Sequence, residues 1–85
     1  MQWLHYDRAM PTVARLHSCK IAMYAADHLP PHFHVLANDG REALVELASL
    51  QMLAGHAGAR AQAEALAWAA GHRTQLQILW KELNP

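Results

Sequence analysis

The chain has 85 residues with seven basic and seven acidic side chains and a formal net charge of zero, so it lacks the basic excess of a strong nonspecific DNA binder. So short a chain makes one domain with one small core, which a homodimer or an obligate partner would help to stabilise. A single cysteine, Cys19, excludes an internal disulfide, and no apolar run approaches the roughly 20 residues of a membrane span. Cys19 reads as a small residue in or beside a turn. Residues 1–9 lack a secretory hydrophobic segment, and the expected location is the cytoplasm.

Between Thr12 and Leu47 apolar and polar residues alternate with the period of a half-buried strand. Four short strands are expected, over residues 12–17, 20–25, 32–37 and 42–47. Ser18 and Cys19 leave room for a tight turn, Pro30-Pro31 joins the second strand to the third, and Asn38-Asp39-Gly40-Arg41 is a hairpin signal because Asn, Asp and Gly tolerate positive φ. One face collects Thr12, Ala14, Leu16, Ile21, Met23, Phe33, Val35, Ala43, Val45 and Leu47, and is almost wholly apolar. The other collects Val13, Arg15, His17, Lys20, Ala22, Tyr24, His32, His34, Leu36, Glu42, Leu44 and Glu46.

Residues 50–53 read as a fifth strand or a helical turn, and Gly55 and Gly58 bracket His56 in a loop. Residues 59–83 are rich in helix formers. Leu76, Leu79, Trp80 and Leu83 recur at i, i+3, i+4 and i+7, an apolar stripe. Gly71 costs about 1 kcal/mol relative to Ala in a helix and kinks the stretch or splits it in two. The expected architecture is α+β: a small antiparallel meander of four strands, or five, packed on a C-terminal helix. The helix covers the apolar face and leaves the Arg/His/Lys/Tyr/Glu face open.

The passage Asp27-His28-Leu29-Pro30-Pro31-His32-Phe33-His34 concentrates three of the seven histidines. Proline stiffens the approach to the third strand, and His32 and His34, two apart in that strand, point to the same face. Three chemistries compete. A metal site would draw on His28, His32 and His34 with an oxygen from Asp27, since zinc takes three protein ligands when catalytic. No cysteine and no second His-x-His pair supports it, so no cofactor and no tightly bound metal are expected. A metal-free ribonuclease face would use His32 and His34 as acid and base, with Tyr24 or Glu46 able to substitute for one of them. Arg15, Lys20 and His17 would hold the phosphate, and His28 and Arg73 complete the candidate nucleic-acid or partner-binding set. A non-catalytic interaction surface would use the exposed Val13, Leu36 and Leu44. His72 tends to the apolar side of its helix and reads as a hydrogen-bonded core residue, while Arg73 caps the sheet edge or reaches Glu46. There is no Gly-rich phosphate loop, CxxC, GxSxG or HExxH, so nucleotide and flavin cofactors have no visible home.

Met10-Pro11-Thr12, the Asp27-to-His34 motif, and Trp68 through His72-Arg73 to Leu76 and Trp80 together resemble the bacterial proteins grouped as domain of unknown function 4160. The resemblance covers about residues 10–83 and implies one domain over 10–85 behind an N-terminal extension, residues 1–9, which is either an extra arm or the result of an upstream start codon. Gly71 departs from the pattern, where a bulkier helix former is ordinary. Members of that family are often encoded beside a second small protein, as in toxin–antitoxin modules. The resemblance implies no established activity beyond a small accessory protein of such a module; the residues of the open sheet face point to binding of RNA, or of a partner encoded nearby, through that face. Ribonuclease activity is the sharper version, and a zinc hydrolase built on His28, His32 and His34 is the alternative. No membrane is expected among its partners.

Overall fold

The computed structural model describes residues 12–85. Five strands, β1 (Thr12–Arg15), β2 (Cys19–Ala22), β3 (His32–Ala37), β4 (Glu42–Glu46) and β5 (Met52–Gly55), form one antiparallel sheet in sequential order. Two helices follow, α1 (Ala59–Ala70) and α2 (Arg73–Leu83). The fold is α+β, with the fifth strand present. The N-terminal extension expected over residues 1–9 lies outside the described residues, and no helix among the described ones is long and apolar enough to cross a membrane.

Alternation built the sheet as expected along β3 and β4. Phe33, Val35 and Val45 are fully buried and Leu47 nearly so. α1 packs on β2 and β3. It presents Ala61, Ala65 and Ala69, one per turn, and these small side chains fill its core-facing stripe. α2 contributes Leu76, Leu79, Trp80 and Leu83 to the same core. Gly71 splits the helical stretch rather than kinking it: its N–H closes the last turn of α1 on the Trp68 carbonyl, and α2 begins two residues later.

The second face is less open than its composition suggests. Val13, Ala22 and His32 are all buried. In β1 the pairing slips between Thr12 and Ala14. Such an irregularity places two consecutive residues, Val13 and Ala14, against the core. Ala22 is a methyl lying opposite His34. His32 is closed over by the turn that precedes it and by Trp80. Leu36 and Leu44 are half-buried rather than exposed.

The β1–β2 turn is held from α1. Glu64 accepts the His17 N–H at 2.9 Å, the Ser18 N–H at 2.8 Å and the Ser18 hydroxyl at 2.6 Å. Beside it the Cys19 thiol is buried and points at the Ala61 carbonyl. Burial, and the Glu64 charge after it, push that thiol up and leave it unreactive.

Candidate metal centre

Beyond Ala22 the chain turns back on itself to reach β3, and the turn is tied to the end of α2. Ala26 sits in the left-handed region at φ 55°, and its N–H donates to the Leu83 carbonyl at 3.3 Å. The Asp27 N–H donates to Asn84 Oδ1 at 2.8 Å, while the Asn84 amide nitrogen donates to the Tyr24 and Trp80 carbonyls. Asp27 Oδ1 accepts the His28 N–H at 2.8 Å, which leaves Oδ2 facing inward. The Leu29–Pro30 bond is cis, and the Pro31 carbonyl accepts the Leu47 N–H at the entry to β3.

Two imidazoles meet Asp27 Oδ2. His32 Nδ1 lies 2.7 Å from the Pro30 carbonyl oxygen, and His34 Nδ1 lies 2.6 Å from Glu42 Oε2. A carbonyl or carboxylate oxygen only accepts, so both Nδ1 atoms carry a proton, and a ring that is neutral keeps its lone pair on Nε2. Those Nε2 atoms lie 3.0 Å and 3.1 Å from the same Asp27 Oδ2. His32 is 0 % exposed, and its Nε2 is off the hydrogen-bonding line and has no hydrogen-bond partner. Burial pushes the Asp27 carboxyl up. The His34 hydrogen bond, the His28 N–H and the charges of His32 and His34 outweigh it and hold Asp27 below its ordinary value, as a carboxylate.

With both rings neutral, three lone-pair donors converge, all within 4.8 Å of one another. Such an arrangement repels itself unless positive charge sits among the three. Two imidazolium rings would supply it, at the cost of closing two cations into one small site. One divalent ion supplies the same charge at a single point. Metal–ligand distances of about 2.0–2.1 Å give a tetrahedron with edges of roughly 3.3 Å, close to both observed Nε2–Oδ2 separations. The outward Nδ1 bonds to a carbonyl and a carboxylate are the usual supports of metal-ligating histidines.

His28 is outside this set. Its ring stacks on His32 with centroids 4.7 Å apart, and its Nε2 lies 3.7 Å from the other Asp27 oxygen. Tyr24 stands edge-on to His34, centroids 4.5 Å apart. Burial first, then the Glu42 and Asp27 charges, push its phenol up, which keeps it protonated at neutral pH. Glu46, expected as a catalytic substitute, pairs opposite His32 in the sheet, yet its carboxylate accepts the Ser49 hydroxyl and lines a separate groove. His32 was expected on the open face away from the helix. Its ring instead lies 5.3 Å from that of Trp80 in α2.

Arg73 donates to the Ala48 carbonyl, and His72 Nδ1 donates to the Trp68 carbonyl while its ring stacks on the Trp68 indole. Both work as structural ties. Arg15, His17 and Lys20 gather in another cleft, at the β1–β2 turn end of the sheet. Glu42 and Asn84 are the residues that sequence reasoning passed over. Glu42 had a legible signal, since it lies diagonally across the β3–β4 hairpin from His34. Asn84 had none beyond ending a helix.

Residues 19–81 match the model of the family described as Domain of unknown function (DUF4160). No curated protein and no solved structure matches the chain.

Proposed function

The chain belongs to the domain of unknown function 4160 family, and we propose that its working centre is a divalent-metal site held by Asp27, His32 and His34 and used for hydrolysis. One observation carries this reading. Both histidines spend Nδ1 on an oxygen acceptor and aim Nε2 at one carboxylate oxygen, and the buried Nε2 of His32 is left without a hydrogen bond. The same burial counts against the metal-free acid–base pair, which needs His32 open to a substrate.

A nitrogen and oxygen ligand set suits zinc, and also ferrous iron and manganese. An ion held by three protein ligands keeps a position for water and acts as a Lewis acid. Glu42 orients His34, the Pro30 carbonyl orients His32, and Asn84 positions the backbone of Asp27. The Tyr24 ring stands edge-on to His34 and carries a hydroxyl that stays protonated at neutral pH.

Metal analysis of protein stripped with chelator and reloaded tests the proposal. About one zinc per chain is expected, lost in Asp27→Asn and in His34→Gln while far-UV circular dichroism is unchanged. Equal zinc uptake by wild type and both variants would refute it.

The accessory-module role is a second reading, supported by a groove of about 300 Å3 between the end of β4 and α2. There Ile78, 54 % exposed, stands near Leu47 and Trp80. A pull-down against the product of the adjacent gene tests it, and growth arrest when either chain is expressed alone identifies the effector.

A further inference from the structure

Arg15 and Lys20 are direct cross-strand partners in β1 and β2. Like charges set opposite one another destabilise a sheet, and neither makes an ion pair among the described residues. With His17 they line a cleft of about 420 Å3 whose remaining walls are Leu16, Cys19, Leu36, Ala37 and Asn38, with no acidic side chain among them. Glu64, at the same turn, is engaged by the His17 and Ser18 backbone and the Ser18 hydroxyl, and Glu42, opposite Leu36, is engaged by His34. In a chain of zero formal charge, an uncompensated cationic pair at one end of the sheet asks for an anion from outside.

The cleft and the metal centre share a face. Lys20 pairs with Leu36, and Ala22, two residues on, pairs with His34. Residues two apart in a strand point to the same side and are separated by about 7 Å. That step, from the cationic row to the row holding a metal ligand, is on the order of one nucleotide repeat. Half-buried Leu36, Leu44 and Tyr24 lie along it, offering apolar and aromatic surface against which bases can pack.

We infer, resting on the metal-centre reading above, that the substrate is a single-stranded nucleic acid whose phosphodiester backbone crosses Arg15, His17 and Lys20 on its way to Asp27, His32 and His34. An acidic polypeptide would satisfy the charges but brings no planar bases to pack on Leu36, Leu44 and Tyr24.

The test is fluorescence anisotropy with labelled ten-nucleotide homopolymers of RNA and of DNA, on the full chain, metal-loaded and chelator-stripped. A polyglutamate peptide of equal charge is the third ligand. In the double variant Arg15→Gln/Lys20→Gln, oligonucleotide affinity should fall about tenfold or more, and the slope of log K against log salt should shrink by roughly 1.4, two contacts at about 0.7 each. Zinc uptake by that variant should be unchanged. Binding of RNA and DNA alike would mark backbone recognition, and binding of RNA alone would add a 2′-hydroxyl contact; either supports the inference. Undiminished oligonucleotide binding by the double variant would overturn it, as would polyglutamate binding as tight as the oligonucleotide. If zinc uptake fails while oligonucleotide binding still depends on Arg15 and Lys20, the metal reading falls and the nucleic-acid surface stands.

Discussion

At the scale of single residues, His32 and His34 have the same chemistry and opposite surroundings. His32 is sealed between Pro30, His28 and Trp80, whereas His34 keeps some contact with solvent and is held by Glu42. His32→Ala should therefore destabilise the fold by about 2–3 kcal/mol, through a lost buried hydrogen bond and lost ring packing. Urea denaturation measures this, and an unchanged midpoint would contradict the buried placement. Glu42→Gln touches no proposed ligand atom and leaves His34 Nδ1 an amide oxygen in place of a carboxylate. It should weaken zinc binding roughly 10- to 100-fold, the usual effect of losing such an outer support, with little change in unfolding. Competition against a chromogenic chelator reads that change. The alternation in β3 set His32 on an open face away from the helix, and could not reveal that the preceding turn and Trp80 of α2 close over it. Asp27 opens the motif in sequence, but its convergence with His34 depends on the path through Ala26 and the prolines, which no periodicity encodes.

Among elements, the hairpins carry the clearest constraints. Gly55 ends β5 at φ 74°, and a Cβ there would run into the Glu42 carbonyl. Gly55→Ala should cost about 1–3 kcal/mol, from the positive φ and the clash together. Because Glu42 is the residue displaced, zinc affinity should fall with stability, unlike in a variant that damages the core elsewhere. The clasp of Glu64 on the β1–β2 turn gives a pH signature. The Ser18 hydroxyl and N–H, with the His17 N–H, hold the Glu64 carboxyl below its ordinary value. Its contribution is complete above the ordinary carboxylate range and is lost as pH falls through the lowered folded value. The melting temperature of Glu64→Gln should thus lie below wild type at neutral pH, with the gap closing in acid; a gap that widens on acidification would contradict the clasp. Neither feature was visible in sequence. A strand end and a solvated helix residue are named by their neighbours in space, and the irregularity that buries Val13 is likewise a matter of pairing.

For the whole molecule, the metal reading makes folding and ligation one equilibrium. A ligand that binds only the folded chain stabilises it by about 2.7 kcal/mol at one hundred times its dissociation constant. Zinc titration should raise the melting temperature of wild type steadily and leave Asp27→Asn unmoved, as scanning calorimetry can record. A core this small is sensitive to such a contribution. The antiparallel meander, the buried apolar face and the helical stretch were legible because they follow from period and propensity, while the fifth strand and the break at Gly71 each stood as one of two readings. The residues of the candidate centre were legible in the motif, but their convergence without His28 was not, because they lie in a turn and at a strand entry whose mutual approach is governed by α2.

That dependence on α2 reaches into time. Asn84 and the Leu83 carbonyl bind the backbone of the turn that carries Asp27, so the turn and the end of the helix open together as one local unit. The Ala26 and Asp27 amides should exchange with deuterium at the pace of the last turn of α2 and not at the pace of a surface loop. A bound ion should then leave only as often as that helix end frays. Asn84→Ala should speed extraction of zinc by a chelator while every ligand atom is retained, which makes the closing turn of the helix the clock for metal residence.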